Sequence, residues 1–101
     1  MAIIISPKIQ NKLAKKSPPV SFEEIEQCFV ERNRSFLEDG RDDNRTIPPS
    51  LWFISNTYMG RLIKVVFVEL ENGDTAIKTA YDPNEDEKYI YHKFSIPLQL
   101  K

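Results

Sequence analysis

Glu87 and Tyr91 stand four residues apart in the stretch EDEKYIYH, with His92 directly after Tyr91 and Tyr81 shortly before it. A carboxylate and a tyrosine at that spacing share one face of a helix. Cleaving a phosphodiester beside a 2′-hydroxyl needs a base for that hydroxyl, an acid for the leaving 5′-oxygen and cations on the phosphate. Glu87, His92 and Tyr81 are of the types that move protons. Lys8, Lys12, Lys15 and Lys16 are the concentrated cations. The same residues also describe a capped helix resting on its sheet, beside a short amphipathic helix with lysines on its solvent face. Residue types alone do not separate these readings. Lys78 alternates away from Ile77 and Thr79, which places it on the opposite strand face from Tyr81.

Other constellations carry less. Arg41, Arg45 and Arg61 could grip a phosphate through their planar forks. With Glu38, Asp39, Asp42 and Asp43 nearby, they equally form surface ion pairs. The acidic run LEDGRDDNR lacks the spacing and terminal glutamate of a calcium loop. Ser55, Ser95 and His92 stand in no nucleophile-elbow context. One cysteine, Cys28, and one histidine, His92, are too few for a zinc site of those ligands. Cys28 sits in a helical pattern and reads as a small buried hydrophobe.

A chain of 101 residues is the length of one domain. Its 41% hydrophobic content is ordinary for a globular protein. The longest apolar runs, Ala2–Ile5 and Val65–Val68, fall far short of the roughly 20 residues of a membrane span. Met1–Ile5 has no basic region or cleavage site, so no signal peptide is expected. The net charge of −1 hides an uneven layout, with residues 1–20 carrying four lysines and no acid. Residues 21–43 carry eight acids against three arginines. A nucleic-acid binder usually shows a basic footprint, and here only the first segment has one.

The elements that must position these groups are well marked. Ser6-Pro7 predicts a helix start, with Ile9 and Leu13 on its apolar face. Ser17-Pro18-Pro19 ends it. Ser21 and Glu24 form a capping box, Val20 can staple onto Ile25, and a second helix is expected from Ser21 to about Arg32. Phe36-Leu37 allows a short strand and Asp39-Gly40 a turn. Leu51–Thr57 reads as a strand and Tyr58–Gly60 as its turn. Arg61–Leu70 reads as a central strand covered on both faces. Asn72-Gly73 predicts a tight hairpin, with Thr75–Tyr81 as the return strand. Asp82 as cap, Pro83 first and Glu85 third predict a last helix from Pro83 to about Lys93. The apolar tail SIPLQL is expected to pack on the body or across a dimer. The fold class is α+β: an antiparallel sheet of about four strands with two N-terminal helices and one C-terminal helix, and an optional leading strand at Ala2–Ile5.

The order PK…LAKK…VSFEEIEQCF…GRLIKVVFV…IKTAYDPNEDEKYIY resembles the BrnT-like toxins of bacterial type II toxin–antitoxin systems, over about residues 7–91. Lys8 and Lys15 stand where that family has lysines in its first helix, and Lys16 replaces its histidine. Val20–Ile25 matches the start of the second helix, and Gly60-Arg61 with Val65-Val66 matches the central hairpin. Lys78-Thr79-Ala80-Tyr81 replaces the family's Ile-Ser-Ala-Arg, so Tyr81 fills the place of its arginine. Leu51-Trp52 stands where the family has a basic residue. Glu87 and Tyr91 are retained. The resemblance implies a single RelE/BrnT-like domain over residues 1–101 and a cytoplasmic, metal-independent endoribonuclease with no cofactor. It also implies an antitoxin partner, an RNA substrate and no membrane. On it, Lys8, Lys15 and Arg61 would hold phosphates, while Glu87, Tyr91 and Tyr81 would line the cleavage site. The alternatives are a non-catalytic interaction module of the same fold and, more remotely, an ADP-ribosyl-(dinitrogen reductase) hydrolase-type enzyme.

Overall fold

Ser6 and Ser21 start the first two helices as their sequence contexts require. A computed structural model describes residues 2–39 and 49–98. After a short strand β1 (Ile3–Ile4), helix α1 (Pro7–Ala14) begins with Ser6 Oγ accepting the amide of Ile9. Helix α2 (Phe22–Glu31) begins with the expected reciprocal box, since Ser21 Oγ accepts the Glu24 amide and Glu24 Oε1 accepts the Ser21 amide. Val20 and Ile25, the expected staple, are both buried.

The strands β2 (Leu37–Glu38), β3 (Leu51–Asn56), β4 (Leu62–Glu69) and β5 (Thr75–Tyr81) precede the last helix, α3 (Glu85–Phe94). The turns before and after β4 contain Gly60 and Gly73, with φ of 89° and 90°, a conformation costly for any residue with a Cβ. The expectation of about four antiparallel strands needs correction. The sheet has five strands in the order β1-β5-β4-β3-β2, and β1 lies parallel to β5. The optional leading strand is real but short, with Ile3 beside Thr75 and the Thr75 amide donating to the Ala2 carbonyl.

Register divides the side chains between two faces, because cross-strand partners share a face and neighbours alternate. Phe53, Val65 and Ala80 share one face with Phe67 and Ile77. Helix α2 covers it, with the Phe29 ring 4.8 Å from Phe53 and 5.4 Å from Phe67. The other face carries Trp52, Ile54, Lys64, Val66, Thr79 and Tyr81. Helix α3 lies on it, with Tyr91 5.6 Å from the Trp52 ring. The register shifts between Val66 and Phe67, which pair with Thr79 and Ile77 and leave Lys78 as the extra residue. Simple alternation along β5 fails there, and Ile77 and Thr79 fall on opposite faces.

The start of α3 is also corrected. Asn84, not Asp82, is the cap: its Oδ1 accepts the Glu87 amide at 2.8 Å and Glu87 Oε1 accepts the Asn84 amide at 3.0 Å. Two overlapping cap sequences compete here, each with a glutamate three residues on. Asn84 and Glu87 close the box, while the Asp82 carboxylate is engaged by Arg61. The tail as far as Leu98 runs along the chain's own residues 33–35, through hydrogen bonds from Ser35 to Ile96 and from Leu98 to Asn33. Among the described residues, no helix is long and apolar enough to cross a membrane.

Candidate functional site

The capping box fixes what Glu87 can do. Its Oε1 is committed to the Asn84 amide, which leaves Oε2 facing the sheet. Strand β5 delivers Tyr81 directly across from Lys64 on β4. The Tyr81 hydroxyl donates to Glu87 Oε2 at 2.8 Å, and the Lys64 ammonium reaches the same oxygen at 2.8 Å. Lys64 is 9% exposed, so its charge needs a partner inside the fold. Glu87 neutralises it, and the ammonium also lies 4.4 Å from the Trp52 ring centroid and 5.5 Å from that of Tyr81. A second ammonium, from Lys16, arrives from the turn after α1, 4.8 Å from the Tyr81 centroid and 3.3 Å from Thr79 Oγ1.

Electrostatics follow from this packing. Burial works to raise the Glu87 carboxyl, but the Lys64 ammonium, the Asn84 amide and the Tyr81 hydroxyl together bring it below the usual carboxylate range. Burial and the Glu87 carboxylate push the Tyr81 phenol up, against the opposing pull of Lys64. Burial, and then the like charge of Lys12, hold Lys16 below the ordinary lysine range. The arrangement is an ionised carboxylate with a phenol and an ammonium on one oxygen, flanked by a second ammonium. It can accept a proton at Glu87 Oε2, donate one from Tyr81 and attract an anion.

The other sequence-derived candidates lie elsewhere. Tyr91 is buried against Trp52, and its hydroxyl donates to the Ser35 carbonyl at 2.9 Å rather than to the Glu87 cluster. Arg61 is a clasp. Its Nε donates to Asp82 at 2.9 Å, and Nη1 donates to Glu24 and to the Pro19 carbonyl. Nη2 reaches Asp82 at 2.8 Å. Every arm of the guanidinium that could take a phosphate is occupied within the chain. Lys8 and Lys15 are exposed at α1 and form no side-chain hydrogen bond or ion pair among the described residues. His92 is exposed, and its carbonyl accepts from Arg34. Ser95 donates to the Tyr91 carbonyl and accepts from Arg34 Nε. Lys78 donates to Ser50 Oγ at 3.0 Å. Burial pushes the Cys28 thiol up to about 12, far from a reactive thiolate. Arg41 and Arg45 lie outside the described residues. Among the described residues, no group of histidine, cysteine and carboxylate side chains is arranged to hold a metal.

Lys64 and Trp52 were not among the sequence-derived candidates. Lys64 did leave a signal, as the single charge inside the apolar run LIKVVFV. A lysine in the middle of a covered strand must find a counter-charge or drop its proton. The chain matches no family model, no curated protein and no solved structure.

Proposed function

We propose that this chain is a BrnT-like, RelE-type ribonuclease of a bacterial toxin–antitoxin pair, acting without a metal at the Glu87–Tyr81–Lys64 cluster. The observation that carries the reading is the junction at Glu87 Oε2, where a carboxylate kept ionised meets a phenol and an ammonium. In this reading Glu87 Oε2 removes the proton of a 2′-hydroxyl, and the 2′-oxygen attacks phosphorus. The bond to the 5′-oxygen breaks, and that oxygen takes up a proton donated by Tyr81. The products are a 2′,3′-cyclic phosphate and a free 5′-hydroxyl. Lys64 acts through Glu87 as a positioning residue, and Lys8 and Lys15 continue a cationic path along α1. The test is incubation of the purified protein with a single-stranded RNA in the presence of a metal chelator. Cleavage is expected, with a loss of about a hundredfold or more in Glu87→Gln. An intact RNA with the unsubstituted protein would overturn the reading.

A second reading is a non-catalytic interaction module of the same fold. It is favoured by Arg61, whose guanidinium serves the fold, and by a net charge of −1. Titration with RNA at low salt separates the two, since phosphate binding weakens steeply as salt rises.

A further inference from the structure

We propose that Lys16 binds a phosphodiester group laid over the Tyr81 end of β5, at a site that favours a singly charged diester over a doubly charged terminal phosphate. The choice of a diester rests on the ribonuclease reading; the location and charge balance rest on the geometry. Lys16 is held in the turn after α1, where its amide and that of Val20 both donate to the Leu13 carbonyl. Its ammonium projects over the Tyr81 ring, and among the described residues its hydrogen-bond partner is the neutral hydroxyl of Thr79. It forms no ion pair among the described residues, whereas Lys64 is paired with Glu87 and Arg61 with Glu24 and Asp82. Among the described residues, Lys16 is thus a half-buried cation on this face without a counter-charge.

Lys12 is a further like charge felt at Lys16 but does not touch Tyr81. Of the charged groups described against Tyr81 itself, two ammoniums, Lys16 and Lys64, stand against one carboxylate, Glu87, a net of one positive charge at the ring and hydroxyl. A phosphodiester carries one negative charge and balances it. A terminal phosphate near neutral pH carries close to two, and the excess would lie beside the Glu87 carboxylate. Thr79 adds direction, because its hydroxyl accepts from Lys16 and keeps its own O–H to donate to a phosphate oxygen. The lowered proton affinity of Lys16 is consistent with a partly dehydrated ammonium awaiting an anion.

The experiment is an NMR titration of the full chain with thymidylyl-(3′→5′)-thymidine, which lacks the 2′-hydroxyl and cannot be cleaved by this route, and with thymidine 5′-monophosphate. The diester is expected to bind more tightly than the monophosphate. Lys16→Met is expected to weaken it about tenfold, as removal of a charge-assisted hydrogen bond does. Lys16→Arg should retain most of the binding. A control change in the last turn of α3, Lys93→Met, should cost less than about twofold, since an exposed charge away from the site is screened. Equal binding by Lys16→Met, tighter binding of the monophosphate, or no binding of either ligand overturns the proposal. RNA cleavage run alongside keeps the two readings apart. Cleavage without Lys16-dependent binding removes the Lys16 site and leaves the ribonuclease. Lys16-dependent binding without cleavage does the reverse.

Discussion

Lys64 and Glu87 meet at 2.8 Å between a central strand and the last helix, with side chains only 11% and 18% exposed. Neither charge has another partner of opposite sign in the described structure, and Lys64 helps to hold the Glu87 carboxylate ionised. The pair ties α3 to the sheet at the same point where the candidate chemistry lies.

Breaking this pair by Lys64→Met should destabilise the protein by about 2 kcal/mol in urea unfolding at neutral pH, because it strands a half-buried carboxylate. The loss should shrink on acidification. Folded Glu87 titrates below its ordinary range, about 4.3 in an unfolded chain, so the pair contributes fully above that value. The contribution disappears as pH falls through the lower folded value. Unfolding of the parent and the variant from pH 7 down to pH 3 checks this, and a difference that grows toward acid would contradict it. Carbon-13 titration of the Glu87 carboxyl should move upward in the variant.

Arg61→Ala should cost about 2–3 kcal/mol, since it leaves Glu24, Asp82 and the Pro19 carbonyl without their shared donor. A double-mutant cycle with Asp82→Ala should show the two changes to be far from additive. Additive losses would mean that the clasp is not formed in solution.

Ser55 Oγ is buried with no hydrogen-bond partner among the described residues, on the sheet face under α2. Ser55→Ala should therefore range from no change to a gain of about 1 kcal/mol. A clear loss in thermal unfolding would indicate a partner for that hydroxyl, such as a buried water.

Cys28 should resist a disulfide-forming reagent at pH 8 in the folded protein. Its thiol, pushed up to about 12 and fully buried, should react at least about a thousandfold more slowly than in denaturant. Rapid labelling under native conditions would show that α2 opens readily from the sheet.

Where a signal was local, the chain declared its structure. Ser21 with Glu24, the proline after Ser6 and the Asn72-Gly73 turn each act within a few residues, and the elements they mark form where expected. The last helix was legible as a helix but not in its first residue, because Asp82 and Asn84 both satisfy cap chemistry. Reciprocal bonding between Asn84 and Glu87 selects the second, and Asp82 is drawn to Arg61 instead. The parallel pairing of β1 was hidden, since its partner at Thr75 lies most of the chain away.

The candidate site divides in the same way. By its order of residues, this sequence determined an α+β domain in which Glu87 and Tyr91 share a helix and Tyr81 ends a strand. Tertiary structure decided which of them meet. The register of β4 on β5 sets Lys64 opposite Tyr81, and the cap turns Glu87 Oε2 toward both. Tyr91, one helical turn on, is sent to Ser35, and the turn after α1 carries Lys16 to the Tyr81 ring. Periodicity along a chain tells which face a residue takes, whereas the partner it finds there depends on strands and helices whose separation in sequence carries no local mark.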